Sequence, residues 1–200
     1  MTFTGAIGAT CMFPLRGIIA TCVALRIHPN VLTLTGVIIN AWAGWALALG
    51  RFWMAGFIML LANIFDFIDG KVADELKLSS RFGGFWDSVM DRFSDLFLLI
   101  GLIYLYATLE RPDYVLITTL TLMFSVMTSY TRARAESIIP QCKVGFMERP
   151  ERIVLFMIGA FTNRMAAVLW VILILSVLTV LDRIYFTWRE LRSNHDGITA

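Results

Sequence analysis

Long apolar tracts constrain this chain more than any other feature of its sequence. With 58% hydrophobic and 16% charged residues, the chain is too apolar for a soluble domain. Residues 153–181 are interrupted at Thr162, Asn163 and Arg164, which predicts two helices, the first beginning at Arg149, joined by a tight turn. About 20 helical residues cross a bilayer, and four further tracts approach or exceed that length: approximately residues 31–50, 52–68, 85–107 and 114–130. We therefore expect an all-α integral membrane protein with six transmembrane helices.

The basic residues indicate how these helices are oriented. With six spans, Arg51, Arg111 and Arg164 fall on one side of the membrane, and the other 14 of the 17 lysines and arginines fall on the opposite side. The side that is rich in Lys and Arg is normally cytoplasmic. We therefore expect a multi-pass protein of the cell inner (cytoplasmic) membrane, with both termini and the active site on the cytoplasmic side.

The N-terminal region is compatible with two structures. Residues 5–27 are apolar but contain Pro14, Arg16 and Arg26, so they predict either another span or a helix that lies in the membrane interface. A seventh span would break the charge asymmetry, which favours the interfacial helix. The expected organisation is one membrane domain over residues 1–200: an amphipathic interfacial helix at 1–28, a six-helix bundle at 29–192 and a tail at 193–200.

The three cysteines do not indicate a site of their own. Cys11, Cys22 and Cys142 show neither CxxC spacing nor a neighbouring histidine, so neither a zinc site nor a disulfide framework is indicated. The net charge of +2 is small and says little by itself. We expect no nucleic-acid partner.

Four aspartates lie in or beside the apolar tracts: Asp66, Asp69, Asp87 and Asp91. Their spacings of three and four residues place each pair on one face of a helix. Two such faces opposite each other would form an oxygen-only cage, which favours Mg²⁺, Mn²⁺ or Ca²⁺ over Zn²⁺. Two bridged cations would offset the crowded negative charge and clamp a phosphoryl group, so binuclear phosphoryl transfer is the chemistry that this pattern favours.

Small residues beside the acids favour a nucleotide ligand, because the backbone can approach it closely. They are Gly70, Ala73, Gly83 and Gly84. Two alternatives remain open for the aspartates. They lie on a solvated surface and pair with nearby basic side chains, or they line the ion pathway of a divalent cation transporter. The basic side chains concerned are Lys71, Arg81 and Arg92.

The stretch from Asp66 to Asp91 resembles the signature of the CDP-alcohol phosphotransferases, which is D-x-x-D-G-x-x-A-R, eight residues, then G-x-x-x-D-x-x-x-D. Asp74 stands where the signature has Arg. The resemblance covers most of the 200 residues, since the family also implies an interfacial N-terminal helix, six spans and a Pro29-Asn30-x-x-Thr33 start of the first span. The positions that match the signature are Asp66, Asp69, Gly70, Ala73, Gly83, Asp87 and Asp91.

The resemblance implies a mechanism with two Mg²⁺ ions, for which Mn²⁺ is an alternative. Asp66, Asp69 and Asp87 would bind one ion, and Asp66, Asp87 and Asp91 the second. Asp91 would also be the general base, taking the proton of an acceptor alcohol that attacks the β-phosphorus of CDP-diacylglycerol and releases CMP. A homodimer in contact with membrane lipids is implied as well. The residues implied in nucleotide binding are Pro29, Asn30, Thr33, Asp69, Gly70, Ala73, Gly83 and Asp87.

A basic cluster after the fourth long tract indicates the acceptor. Arginine grips phosphate through its forked donors, so the cluster favours a phosphorylated polyol. The runs R-A-R-A-E from Arg132 and E-R-P-E-R from Glu148 resemble those of prokaryotic phosphatidylinositol phosphate synthases, which implies inositol phosphate. Glycerol 3-phosphate, the acceptor of a phosphatidylglycerol phosphate synthase, is the alternative within the family. The candidate phosphate ligands are Arg132, Arg149, Arg152 and Arg183.

The residues around the aspartates and arginines predict further local structure. Asp66 and Asp69 should end the second long helix, with Gly70 opening a polar connector. Glu136, Glu148 and Glu151 should pair with the arginines, and Asp95, one turn beyond Asp91, should support the metal ligands from behind.

Overall fold

The computed structural model of the chain describes residues 15–196, and the side chains of residues 15–192. Within this range the regular structure is entirely α-helical, which confirms the predicted fold class at that level. Residues 1–14 of the predicted interfacial helix and residues 197–200 of the predicted tail lie outside the described part. The helices are α1 (Leu15–Ala24), α2 (Pro29–Ala48), α3 (Phe52–Glu75), α4 (Arg81–Thr108), α5 (Pro112–Ala135), α6 (Arg149–Phe161) and α7 (Met165–Asp196).

Four of these helices are long and apolar enough to cross a membrane, namely α2, α3, α5 and α7. Helix α4 has 28 residues, but its first turns carry the charged site, and α6 has 13 residues. At 1.5 Å per residue α6 is about 20 Å long, shorter than the roughly 30 Å hydrocarbon core of a bilayer. Residues 15–196 thus contain four candidate spans, and six remains a prediction.

Helix α3 extends further than its apolar tract. The expectation that Gly70 opens a connector is wrong, because α3 continues to Glu75 and the connector is residues 76–80. Ile68 and Val72 are 1% and 0% exposed, so one face of the helix stays packed beyond the point where the tract becomes polar. Falling hydropathy therefore indicated where α3 leaves the apolar layer, while buried contacts decide where it ends.

Close packing between α2 and α4 depends on two glycines. A Cβ atom on Gly44 would collide with the backbone carbonyl of Phe97, and a Cβ on Gly101 would collide with the carbonyl of Gly44. Small residues allow helix backbones in membranes to approach closely in this way. Helix α2 also packs along α3, whereas α3 and α4 do not pack against each other. The position of α2 therefore sets the separation of α3 and α4.

The two ends of the bundle differ in charge. The turns after α2, α4 and α6 meet around one cavity, which Gly50, Leu109 and Asn163 help to line. These three turns contain Arg51, Arg111 and Arg164, the residues predicted to share one side. The connectors 76–80 and 136–148 lie at the opposite ends of the helices. There α1 packs through Ile19 and Cys22 onto α2 and α3.

Substituting Gly44 with Ala should destabilise the protein, because the new methyl group meets backbone atoms that cannot rotate away. Overpacking of this kind costs about 1–3 kcal/mol, which corresponds to a decrease in Tm of roughly 2–10 °C for a chain of this size. Thermal unfolding in detergent measures it.

The matched control is Gly17→Ala in α1, where no described atom outside the helix's own backbone lies within 4 Å of the added Cβ. Its Tm should be unchanged or slightly higher, since Ala is the better helix former. Equal Tm values for the two variants would show that the contact between α2 and α4 is not tight.

Candidate active site

The four aspartates come from two helices that do not pack on each other. Asp66 and Asp69 lie one turn apart on α3, and Asp87 and Asp91 lie one turn apart on α4. Because α2 packs against both helices, it fixes the distance between their acidic faces. The five-residue connector 76–80 keeps these ends of α3 and α4 at the same end of the bundle.

Three of the aspartates form a potential metal site. One carboxylate oxygen each from Asp66, Asp69 and Asp87 lies within 4.8 Å of the others. Thr33 Oγ1 of α2 donates a 2.6 Å hydrogen bond to Asp69 Oδ2 and thereby orients that carboxylate. An all-oxygen donor set of this kind fits a hard divalent cation such as Mg²⁺ or Mn²⁺.

Asp91 lies outside this group of three and is joined to it through an arginine. Arg149 Nη1, at the first residue of α6, is 2.7 Å from Asp91 Oδ1 and 3.0 Å from Asp66 Oδ2. Arg92 Nη1 lies 3.6 Å from the other oxygen of Asp91. The predicted cage of four acids is therefore present as three clustered carboxylates, with the fourth linked to Asp66 by the Arg149 guanidinium.

Surface ion pairing does not explain the aspartates. Among the described residues, neither Lys71 nor Arg81 lies within salt-bridge distance of the four acids, and Arg92 reaches Asp91 only at 3.6 Å. Asp69 is 6% exposed. A buried carboxylate without a basic partner is costly unless a cation or hydrogen bonds compensate it, which favours a binding site over a solvated surface.

A cavity of about 320 Å³ lies on one side of the carboxylates. It is lined by all eight residues for which the family resemblance implies nucleotide binding, together with Asp74, Leu78, Ser79, Ser80 and Gly84. Asp74, which stands where the family signature has Arg, accepts a 3.1 Å hydrogen bond from Ser79 Oγ. In this chain, that residue therefore holds the connector in place.

Ser79 and Ser80 were not identified from the sequence. Ser80 precedes α4, and its Oγ accepts a 3.0 Å hydrogen bond from the backbone N–H of Gly83. A serine just before a helix is a common N-cap, and that signal was available in the sequence. What the sequence could not show is that the cap faces the nucleotide-sized cavity.

A larger cavity, of about 720 Å³, lies beside Asp91 and is bounded by residues of α4, α5, α6 and α7. Asp91 lines it, as do Arg132, Arg149 and Arg183 from the predicted basic set. Glu148 Oε1 lies 2.7 Å from Arg132 and 3.1 Å from Arg183, so it holds both guanidinium groups in place.

Two of the predicted glutamate partners are confirmed, and one is wrong. Glu136 pairs with Arg132 at 3.2 Å, and Glu148 pairs with Arg132 and Arg183. Glu151 makes no ion pair among the described residues, and its Oε2 is buried without a hydrogen-bond partner. Arg149 and Arg152, its neighbours in the sequence, pair with aspartates instead.

Arg152 does not line the larger cavity, unlike the other three arginines of the predicted acceptor set. It is 1% exposed, and its Nη2 and Nε lie 2.5 Å and 3.2 Å from Asp95 Oδ2. Asp95 thus stands one turn behind Asp91, as expected, but it holds Arg152 rather than a metal ligand. Arg149 is the first residue of α6 and reaches Asp66 and Asp91, whereas Arg152 lies one turn further into the helix and reaches Asp95, one turn further along α4.

The chain matches known proteins over most of its length. The sequence model of the CDP-alcohol phosphatidyltransferase family matches residues 26–182. An archaetidylinositol phosphate synthase of Pyrococcus horikoshii is 36% identical over 173 residues, which is 86% of this chain and 89% of that protein. A phosphatidylinositol phosphate synthase of Mycolicibacterium smegmatis is 31% identical over 175 residues, which is 81% of this chain and 79% of that protein.

Solved structures show the same fold. The phosphatidylinositol phosphate synthase of Mycobacterium tuberculosis with CDP-DAG bound has a TM-score of 0.81 and 25% identity, covering 87% of this chain and 93% of that one. The same enzyme in complex with manganese and citrate has a TM-score of 0.81 and 27% identity, covering 87% of this chain and 88% of that one. The family predicted from the aspartate signature is therefore confirmed.

Replacing Arg152 with Met should destabilise the protein, because Asp95 would then be a buried carboxylate without its partner. Breaking a buried ion pair from one side costs about 3–5 kcal/mol. Thermal unfolding in detergent should show a large decrease in Tm, and the double variant Arg152→Met/Asp95→Leu should recover most of it.

The same variants test whether Arg152 acts in the acceptor site. An unchanged Tm together with a raised acceptor KM would return Arg152 to the phosphate-binding set. The contact between Arg152 and Asp95 predicts the opposite result, in which the Tm decreases and the acceptor KM is not the main property that changes.

Proposed function

This chain belongs to the CDP-alcohol phosphatidyltransferase family, and we propose that it transfers the phosphatidyl-type group of a CDP-linked lipid to inositol phosphate with release of CMP. The observation that carries this proposal is that aspartates of one site line two different cavities. Asp69 and Asp87 line the smaller cavity, and Asp91 lines the larger one. A transfer reaction needs this arrangement, because donor and acceptor must reach the same reacting atoms from different sides.

The smaller cavity is the proposed nucleotide site. Its volume of about 320 Å³ lies within the range of small-ligand pockets. Asn30 and Thr33 from α2, Gly70 and Ala73 from α3 and Gly83 from α4 present mostly small or polar groups, so a cytidine and its phosphates can lie against the helices. The matching synthase with CDP-DAG bound supports this assignment.

The lipid part of the donor needs an apolar surface that is open to the membrane. Phe85, Val89, Phe93 and Val126 line one side of the larger cavity, and Phe85 and Phe93 are 62% and 46% exposed. We propose that acyl or alkyl chains follow this side of α4 while the nucleotide occupies the smaller cavity. The relatives named above include both archaetidyl and phosphatidyl enzymes, so CDP-archaeol and CDP-diacylglycerol are both donors to test.

Asp66, Asp69 and Asp87 would hold one Mg²⁺ or Mn²⁺ ion, and Asp66, Asp87 and Asp91 a second. Bound there, two divalent cations would neutralise phosphate charge as the bond to phosphorus breaks. The clustered oxygens of the first set and the complex of the matching synthase with manganese support this assignment.

Asp91 is the proposed general base. It lies on the wall of the larger cavity, where an acceptor hydroxyl can reach it, and its side chain is 14% exposed. It takes the hydroxyl proton as the acceptor oxygen bonds to the β-phosphorus of the donor. The bond from that phosphorus to the bridging oxygen breaks, and CMP leaves with the electron pair.

Arg132 and Arg183 are the proposed anchors of the acceptor phosphate. Both line the larger cavity and share Glu148 as a partner, which fixes their positions before the acceptor arrives. Arg183 Nε also donates to the carbonyl of Val144, and its Nη1 donates to the carbonyl of Thr128. Forked donors held in this way suit a phosphate monoester, so the acceptor is a phosphorylated polyol rather than a neutral alcohol.

The membrane arrangement follows from the same geometry. We propose that α2 to α7 form six spans in a single membrane domain, with α1 in the interface and the active site at the cytoplasmic surface of the inner membrane. The location of Arg51, Arg111 and Arg164 at the far end of the bundle supports this orientation. The homodimer stays a prediction.

Purified protein supplied with Mg²⁺ and a CDP-linked lipid should release CMP when inositol phosphate is added. Release with glycerol 3-phosphate instead would keep the transferase and replace the acceptor, and release with free inositol would remove the phosphate-binding role of the arginines. No CMP release with any acceptor, together with Mn²⁺ uptake into sealed vesicles, would favour the transporter.

Asp91→Asn should lower the kcat of CMP release by about 10²–10⁴-fold, the usual contribution of a general base, while binding of the CDP-linked lipid is retained. The matched control is Asp113→Asn, in the first turn of α5 at the far end of the bundle, where the acid pairs with Arg111. This control should keep wild-type turnover. Wild-type turnover in Asp91→Asn would remove Asp91 as the base.

A further inference from the structure

Arg149 contacts two of the aspartates that are proposed to bind a cation. Its Nη1 contacts Asp91 Oδ1 at 2.7 Å and Asp66 Oδ2 at 3.0 Å, and these acids belong to the proposed second cation set. We propose that the Arg149 guanidinium and the second divalent cation are alternative occupants of the position between Asp66 and Asp91. The cation displaces the guanidinium, which turns into the larger cavity toward the acceptor. This inference rests on the proposed function.

The two occupants exclude each other for reasons of distance and charge. Arg149 Nη1 lies within hydrogen-bond distance of one oxygen of each carboxylate. A divalent cation held by both acids at about 2.0–2.6 Å would occupy the same space between them. Two positive centres placed between the same carboxylates would repel each other strongly in a partly desolvated site. Each carboxylate therefore pairs either with the guanidinium or with the metal.

The attachment of Arg149 allows such an exchange. Its ion pairs are to Asp66 and Asp91, and its Nε is buried without a hydrogen-bond partner among the described residues. Arg152, one turn along α6, is held by Asp95, which is not a proposed metal ligand, and is 1% exposed. A metal at the carboxylates would therefore remove the ion pairs of Arg149 while leaving those of Arg152 intact.

The larger cavity provides a second location for the guanidinium. Arg149 already lines this cavity together with Arg132 and Arg183. The three arginines there face two glutamates, Glu136 and Glu148, so an excess of positive charge remains that favours entry of an anion such as a phosphate monoester. An acceptor phosphate therefore draws Arg149 away from the carboxylates, and by linkage the acceptor and the second cation strengthen each other's binding.

The test is Mn²⁺ binding to the full-length protein in detergent, counted by electron paramagnetic resonance without any turnover. In Arg149→Gln the weaker of two Mn²⁺ affinities should increase about tenfold, since a competing charge-assisted contact is lost. The matched control is Arg92→Gln, which removes the same charge from beside Asp91 but from a side chain that lies outside the pair of acids. It should change the affinity by less than about threefold.

Equal increases in Arg149→Gln and Arg92→Gln would overturn the proposal, because a general charge effect would then explain both. Weaker Mn²⁺ binding in Arg149→Gln would also overturn it, since Arg149 would then support the metal ligands. If Arg149→Gln does not fold, Arg149→Lys provides the same test. The lysine ammonium has no fork of donors and competes less well for two carboxylates. Mn²⁺ should therefore bind more tightly to this variant than to the wild type, by a smaller factor than in Arg149→Gln.

Inositol phosphate supplies the second measurement. It should strengthen Mn²⁺ binding more in the wild type than in Arg149→Gln, where only direct contact of phosphate with the metal remains. Equal strengthening in both proteins would overturn the coupling. If the wild type releases no CMP but Arg149→Gln still binds the second Mn²⁺ about tenfold more tightly, the proposed transferase activity would be overturned. The proposed exchange between Arg149 and the cation would still hold.

Discussion

Repulsion between carboxylates is the constraint on which this site depends. Asp66, Asp69 and Asp87 place oxygens within 4.8 Å of one another at the end of a helical bundle, and Asp91 follows one turn later. Separate helices would relieve this repulsion by moving apart. They are held in place because α2 packs against both α3 and α4, with its Gly44 backbone in contact with Phe97 and Gly101. Packing energy in the apolar part of the bundle thus maintains a polar arrangement at its end.

The same constraint explains why arginines surround the acids in two different ways. Arg152 is enclosed and paired with Asp95, so it ties α6 to α4 and its charge is offset by that carboxylate. Arg149 begins the same helix but reaches the acids that would bind metal. One arginine supports the structure, and the other contributes a cation that a stronger cation can replace.

Prediction from sequence was most accurate where a pattern follows directly from local chemistry. The spacing of the aspartates and glycines identified the family, and all eight proposed nucleotide-site residues line one cavity. It was less accurate for the length of α3, because hydropathy reports which residues contact an apolar layer and does not report helix continuity. It failed for Arg152 and Glu151, because one-dimensional clustering of charges does not reveal which side chains of α6 face the cavity and which are enclosed.

Residue types and their spacing were enough to specify the kind of chemistry, since oxygen ligands at helical intervals select hard cations whatever surrounds them. The apolar tracts likewise specified helices, because a backbone in an apolar environment must satisfy its own hydrogen bonds. Only the packed helices decided which acids cluster, which arginine bridges Asp66 and Asp91, and which cavity each side chain lines. These properties depend on distances between residues that are far apart in the chain, and side-chain packing, rather than local sequence, sets those distances.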